Sequence, residues 1–279
     1  MVRAVSTYVF IRQRLHPGLL DGLARAGAEA IEIFCARAHF NYYDRAHVRE
    51  LAGWFKSNNV KLNSMHAPMF YDEEEWTRGP MEPINIVETD RKRQIQATDE
   101  IKRALECAEH LPFRFLVQHL GNGNETFDMR KFDAAMTSVE HLRAFAKPLG
   151  VKVLLENIPN ELSTPEKLVE FVGTAHLDDV GFCFDAGHAH MMSNVLQAFD
   201  VMKHNTYSTH LHDNAGVMDS HLWPGNGKID WSECTSLLRS AQRGLPLLLE
   251  IDGENQTEIN EKISKAYDFL EKQTAVKST

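Results

Sequence analysis

Short apolar runs alternate with longer amphipathic stretches from one end of the chain to the other, and this alternation limits the available folds more than any other feature. Runs rich in Val, Ile, Leu and Phe fall at residues 4–10, 30–35, 61–65, 114–120, 151–156, 180–185, 207–211 and 246–251. Stretches with helical character follow at 19–26, 44–57, 90–110, 131–148, 165–175, 195–204, 231–243 and 257–272. Ser163-Thr164 ahead of Pro165 makes a good helix start, and Gly27 and Gly150 make good stops. Near-continuous apolar strands alternating with helices belong in a parallel sheet covered on both faces. Eight such units in 279 residues point to an α/β fold of the closed (β/α)8 TIM-barrel type, whose usual length is roughly 250 residues. An open doubly wound sheet is the competing architecture. It would prefer a glycine-rich first turn for a dinucleotide, and this chain has none. No linker or shift in composition interrupts the pattern, so residues 1–279 are expected to form a single TIM-barrel domain.

Charge and cysteine usage narrow the setting. The formal net charge of −9 argues weakly against a general polyanion binder, although an acidic protein can carry a local basic face. Cys35, Cys107, Cys183 and Cys234 are far apart, with no CxxC spacing. That suits reduced thiols in an intracellular protein better than a disulfide framework or a cysteine zinc site. The apolar part of the N-terminus is too short for a signal peptide, and no apolar run approaches membrane-spanning length. A cytoplasmic protein with no membrane partner is expected, and self-association into a homo-oligomer stays open.

In a barrel of this kind the active site lies at the C-terminal ends of the strands. His66 follows the third run, His119 ends the fourth and Glu156 closes the fifth. Asp185 closes the sixth with His188 just beyond, His210 lies in the seventh, and Glu250 closes the eighth. One buried Glu or His alone reads as a satisfied ion pair or a core histidine. Six consecutive strands delivering such groups to one rim call for a shared compensating charge, because unpaired buried carboxylates are costly. A divalent metal supplies that charge. After His210 the chain adds an Asp219-x-His221 pair, then Pro224-Gly-x-Gly227 and the acidic helix start Ile229-Asp-Trp231.

These motifs carry a resemblance. Met65-His66-Ala67-Pro68, Leu155-Glu156-Asn157, Phe184-Asp185-Ala186-Gly187-His188 and the spaced segment from His210 to Trp231 resemble the xylose-isomerase-like superfamily of sugar and sugar-phosphate isomerases and epimerases. That superfamily also holds the endonuclease IV type of abasic-site nuclease (AP endonuclease family 2). The resemblance implies a divalent metal, zinc or manganese with magnesium or cobalt as alternatives, held by Glu156, Asp185, His210 and Glu250. The nuclease branch implies up to three ions, with His66, His119, His188, Asp219 and His221 as further ligands. In the isomerase reading, Glu156 and Glu250 are the catalytic acid/base pair. They move a proton through an enediolate of a ketose or polyol whose carbonyl the metal polarises. His188, His66 and Trp223 would contact the substrate. Epimerases of this type often place an Arg between the Asp and His of the later motif, where this chain has Ser220.

The two chemistries make different demands. A nuclease must hold a duplex, which needs Lys/Arg contacts to phosphate and wedge side chains. The segment after His66 offers aromatics, including Trp76, but its Asp72-Glu-Glu-Glu75 run would repel phosphates. Arg91-Lys92-Arg93 sits among acidic neighbours and reads as a solvated helix face. A small sugar or polyol is therefore the expected partner rather than nucleic acid. A non-catalytic polyol- or metal-binding barrel is the third class. About one tight ion per chain would suit an isomerase, about three a nuclease-like cluster, and none an inert barrel. Residues 67–89 form a long irregular segment suited either to a lid or to a surface excursion. Glu32 ends the second run at the same rim, as an outer partner of the site or a structural ion pair. Gly121-Asn-Gly123 reads as a rim turn. Gly225-Asn-Gly-Lys228 lacks the leading glycine of a phosphate loop. Trp54, Trp76, Trp223 and Trp231 read as packing residues; of these, Trp76 and Trp223 lie in rim loops and could flank a sugar ring.

Overall fold

Eight parallel strands close into a barrel, in the order β7-β6-β5-β4-β3-β2-β1-β8. The computed structural model describes residues 1–71, 82–253 and 258–275. The Asp72–Glu75 run and Trp76 lie outside the described residues, as does the expected helix start at Thr257. The strands are β1 (Arg3–Ser6), β2 (Ala30–Phe34), β3 (Lys61–His66), β4 (Phe115–Gln118), β5 (Lys152–Glu156), β6 (Gly181–Asp185), β7 (Thr206–His210) and β8 (Leu247–Leu249). The seam between β7 and β8 is stitched just past the end of β7. There Leu211 N–H donates to Leu248 O at 2.8 Å, and Glu250 N–H donates to Leu211 O at 3.2 Å.

The period of two along each strand sorts the side chains. Val5, Ile31, Ile33, Met65, Leu116, Val153, Leu155, Phe182, Phe184 and Leu249 belong to the large outer core. The alternate residues form separate inner groups: Phe115, Val117, Leu154 and Cys183 in one, and Ala4, Ala30 and Leu248 in another. Continuing that inner register to the strand ends brings up Glu156, Asp185, His210 and Glu250. All four cysteines are buried and free. Among the described residues, no helix is long and apolar enough to cross a membrane.

The helices are α1 (Pro17–Arg25), α2 (Arg45–Ser57), α3 (Arg91–Glu106), α4 (Met129–Ala146), α5 (Pro165–Thr174), α6 (Ala186–Met192), α7 (Val195–Met202), α8 (Trp231–Ser240) and α9 (Ile259–Ala275). Side-chain caps set several starts. Asp44 accepts from Ala46 N–H at 2.8 Å, Thr164 from Lys167 N–H at 3.3 Å, and Asp230 from Glu233 N–H at 3.0 Å. Two elements depart from the sequence reading. The first apolar run stops being a strand at Ser6. Its remainder, Thr7–Phe10, is a 3-10 turn whose start is capped by the Ser6 hydroxyl accepting from Tyr8 N–H. The second is α6, a short helix directly after β6 where no helix was expected.

One buried histidine away from the rim makes stability depend on pH. His39 is fully buried, and its Nδ1–H donates to Gln13 O. Burial pulls its pKa from 6.5 down to about 4. The unfolded chain therefore takes up a proton first as pH falls. The stabilisation is complete above pH 6.5 and is lost towards pH 4, a loss of about 3 kcal/mol. Urea unfolding across that window should show a shallower decline in His39→Gln, which keeps a donor for Gln13 O. Equal slopes in wild type and variant would contradict this assignment.

Candidate metal centre

Glu156 is the hub of the rim. It closes β5, is fully buried, and points one oxygen to each side. Oε1 lies 2.9 Å from His210 Nδ1, and Oε2 lies 3.1 Å from His119 Nε2 and 3.6 Å from His66 Nε2. His210 Nδ1 also lies 3.4 Å from Glu250 Oε2 and 4.0 Å from Asp185 Oδ2. On its far side, His210 Nε2–H donates to Glu32 Oε1 at 3.0 Å, while Glu32 Oε2 accepts from the Ser64 hydroxyl at 2.7 Å. Glu32 is thus an outer partner that orients the imidazole, an arrangement typical of histidines that ligate metal.

The same anchoring recurs around the ring. His66 Nδ1–H donates to Ala67 O at 2.8 Å, His188 Nδ1–H to Asn157 O at 3.0 Å, and His221 Nδ1–H to Glu250 O at 2.9 Å. In its neutral form each ring therefore presents a bare Nε2 to the centre. His66 Nε2 faces His119 Nε2 at 3.3 Å, and His188 and His221 Nε2 lie 3.0 and 3.2 Å from Asp219 Oδ2. The donors fall into overlapping groups whose ligating atoms lie within 4.8 Å of one another. One is Glu156, Asp185, His210 and Glu250; another is His66, His119 and Glu156; a third is His188, His212, Asp219 and His221. A lone-pair-rich cluster of this kind, buried at Glu156, Asp185, His210 and Glu250 and opening to solvent at Asp219, fits divalent cations. Glu250 Oε1, buried without a partner, is one more donor with nothing else to bind.

The local sequence explains how the later motif folds. Asp213 is buried and gathers the loop around its carboxylate. Gly225 N–H, Trp231 Nε1–H, Ile229 N–H and Asn214 N–H all donate to it. A Cβ at Gly227 would lie 2.2 Å from Asp213 Oδ1, so only glycine fits there. This pinned loop carries Asp219 and His221 back over the barrel mouth. His221 adopts a left-handed φ of 41°, a conformation costing about 1 kcal/mol or more that its ring contacts must offset. Across from it, Asn157 clamps the start of α6 by accepting from Asp185 N–H at 2.8 Å and donating to Asp185 O at 2.9 Å. Asp185 Oδ1 caps α6 by accepting from His188 N–H at 2.6 Å.

The electrostatics favour positive charge here. Burial alone would lower the pKa values of His210 and His188, but Cys183 with Glu156, Glu250 and Glu32 raises His210, and Asp185, Asp219 and Glu156 raise His188, both well above the usual range. His221 rises to about 9, with Asp219 and Glu250 outweighing its burial. Burial alone would raise Glu156, yet His210 and His119 hold it well below the usual carboxylate range. Glu250 is pushed up to about 7 by burial, with the charge of Glu156 adding to the effect. His119 is lowered, mainly by burial.

A cavity of about 250 Å³ opens beside these groups, lined by His66, His119, His188, Asp219, His221 and Glu250 together with Tyr8, Phe34, Met69, Gly123, Ile158 and Pro159. None of these is Lys or Arg. Larger depressions of about 510 to 640 Å³ lie between outer helices and at the opposite end of the barrel, away from the donor groups. Arg91 lines one of them, on the α3–α4 side beside Glu88, Asp99 and Asp133. Nine of the ten residues singled out from sequence lie in the ring. The tenth, Trp223, is buried in the core and is not among the cavity-lining residues. Sequence reasoning passed over Tyr8, Phe34 and His212. Phe34 stacks on His66 at 4.4 Å, and Tyr8 tilts against His221 at 5.2 Å. His212 could have been found, since it follows His210 by two and so shares its face.

The comparisons agree with this architecture. The chain is 27% identical over 261 residues to the uncharacterised protein MJ1311 of Methanocaldococcus jannaschii, covering 90% of this chain and 83% of that protein. It is 22% identical over 231 residues to an inosose isomerase of Bacillus velezensis, covering 79% and 77%. Among solved structures it resembles a D-tagatose 3-epimerase-like protein (TM-score 0.79, 23% identity, 99% and 98% of the two chains). It also resembles the IOLI protein with a bound zinc atom (TM-score 0.74, 19% identity, 99% and 97%). The family described as xylose isomerase-like TIM barrel matches residues 20–273, and the chain belongs to it.

Proposed function

We propose that this protein is a divalent-metal-dependent isomerase or epimerase of a small sugar or polyol. The observation that carries the reading is the convergence of Glu156, Asp185, His210 and Glu250 within 4.8 Å of one another, beside a cavity of about 250 Å³. The two glutamates are the proposed proton-transferring pair, one taking a proton from a carbon next to a carbonyl and the other returning one. A divalent ion held there supplies polarisation of the carbonyl and compensates the negative charge that builds as the proton leaves. Asp185 and His210 complete its donor set, Glu32 fixes the His210 ring, and the mixed O/N donors suit zinc or manganese, with magnesium or cobalt as alternatives. His66 and His188 line the cavity and are placed to hold substrate oxygens. Phe34, Ile158 and Pro159 supply apolar wall against a ring face and exclude water. The similarity to an inosose isomerase and to a D-tagatose 3-epimerase-like protein supports this substrate class, and the zinc-bound IOLI structure supports the cofactor. Metal-loaded protein should interconvert members of a ketose and inosose panel, followed by chromatography. That activity should vanish with chelator and return with zinc or manganese.

One observation favours a second reading, a multi-zinc phosphodiesterase: the donors form overlapping groups enough for more than one ion. Against it, among the described residues no Lys or Arg lines the cavity, and a phosphate backbone is held by such side chains. Zinc-loaded protein is expected to show no salt-sensitive affinity for an abasic DNA duplex. Specific incision of that duplex would reverse the order of the two readings.

A further inference from the structure

We infer that His212 is a positioning residue, the hydrogen-bond donor that fixes Asp185, and not a fourth ligand beside His188, Asp219 and His221. The inference rests on the metal reading above and concerns a residue whose ligating atom lies close enough to that group to belong to it.

The direction of each ring decides the matter. His188 and His221 tie Nδ1–H to a backbone carbonyl and turn a bare Nε2 inward. His212 is built the other way round. Its Nδ1 is buried without a partner among the described residues, while its Nε2 lies 3.1 Å from Asp185 Oδ2 and 3.7 Å from Asp219 Oδ1. A neutral imidazole has one N–H. On Nδ1 it would be a buried donor with no acceptor, and Nε2 would set its lone pair against a carboxylate. On Nε2 it makes a charge-assisted hydrogen bond to Asp185 and leaves only an unused acceptor at Nδ1, the less costly arrangement. A ligand needs the opposite tautomer, with Nε2 bare.

The surroundings hold the ring in this pose. On one side the His221 ring stacks on it at 3.9 Å and 16°. On the other a Cβ at Gly187 would lie 2.0 Å from His212 Cε1, so the glycine two residues after Asp185 is what gives the ring its place. His212 therefore links two of the donor groups, touching Asp185 in the one with Glu156, His210 and Glu250, and His221 in the one with His188 and Asp219. With His212 as a hydrogen-bond donor, the group of His188, Asp219 and His221 keeps three protein ligands and an open position. Such a site has room for a substrate oxygen or water beside its protein ligands.

The test is the ¹⁵N chemical shifts of the His212 ring in metal-free and zinc-loaded protein, with zinc content and chelator competition measured for His212→Leu and His212→Gln. The Nε2–H tautomer is expected in both states. His212→Leu should keep the wild-type number of ions but surrender the ion bound by Asp185 roughly 10- to 100-fold more readily. His212→Gln, whose amide keeps a donor, should recover most of that loss. An Nδ1–H tautomer after zinc loading, or loss of one ion per chain in both variants, would overturn the inference. Wild-type protein that binds no zinc but shows the Nε2–H tautomer would contradict the proposed metal function while upholding His212 as a donor. The tautomer measurement does not depend on either variant folding.

Discussion

Glu156→Gln is expected to abolish turnover and at the same time to cost the centre the ions held through Glu156, leaving the group around Asp219. Its two carboxylate oxygens face different partners, Oε1 towards His210 and Oε2 towards His119 and His66. An amide of the same shape replaces one of those acceptors with an NH2 group and removes the negative charge that both sides share. Loss of the base alone accounts for roughly 10²- to 10⁴-fold in rate, and loss of the ion adds to it. Glu250→Gln is expected to be as damaging to turnover but milder on ion content, because the groups around His119 and around Asp219 do not use Glu250. Both variants should keep the wild-type circular dichroism spectrum. Turnover of a verified substrate by either variant at the wild-type rate would sink the proposed acid/base pair.

Removing the ions from wild-type protein is the second large effect. Glu32, Glu156, Asp185 and Glu250 are all buried, at 0 to 3% exposure, and buried carboxylates this close together repel one another unless a cation compensates them. Chelation should therefore destabilise the fold as well as stop turnover. An ion at about 1,000 times its dissociation constant contributes about 4 kcal/mol. For a chain of this size that corresponds to roughly 10 °C in melting temperature. Calorimetry of metal-free and zinc-loaded protein reads this directly, and an unchanged melting temperature with undiminished activity after chelation would contradict it.

The ring was legible in the sequence because it depends on two local facts: where each apolar run ends, and which residue type stands there. Glu156, Asp185, His210 and Glu250 all meet that description. What stayed hidden depends on contacts between distant segments. Glu32 could be read either as a partner of the site or as a structural ion pair, and only the closed barrel brings it to His210, 178 residues away. Tyr8 sits in an apolar run that reads as strand throughout. The switch to a 3-10 turn comes from the Ser6 hydroxyl accepting from Tyr8 N–H, a local competition that hydrophobic pattern does not register. The helix α6 escaped notice because Ala186-Gly-His-Ala-His-Met-Met192 has no clear apolar stripe. It forms because Asp185 caps it and Asn157 clamps that cap. Trp223 could be read as a packing residue or as a rim aromatic against substrate, and the loop folds inward around Asp213 and buries it as packing.

Solvent-deuterium exchange tests the central claim most directly. Protein loaded with zinc or manganese is incubated in D2O with ketoses and inososes, and the recovered sugars are analysed by mass spectrometry. Metal-dependent incorporation of one deuterium at the carbon next to the carbonyl, absent in Glu156→Gln and after chelation, is the predicted result. No incorporation into any member of the panel by protein carrying its full complement of ions, together with incision of an abasic duplex, would contradict the account.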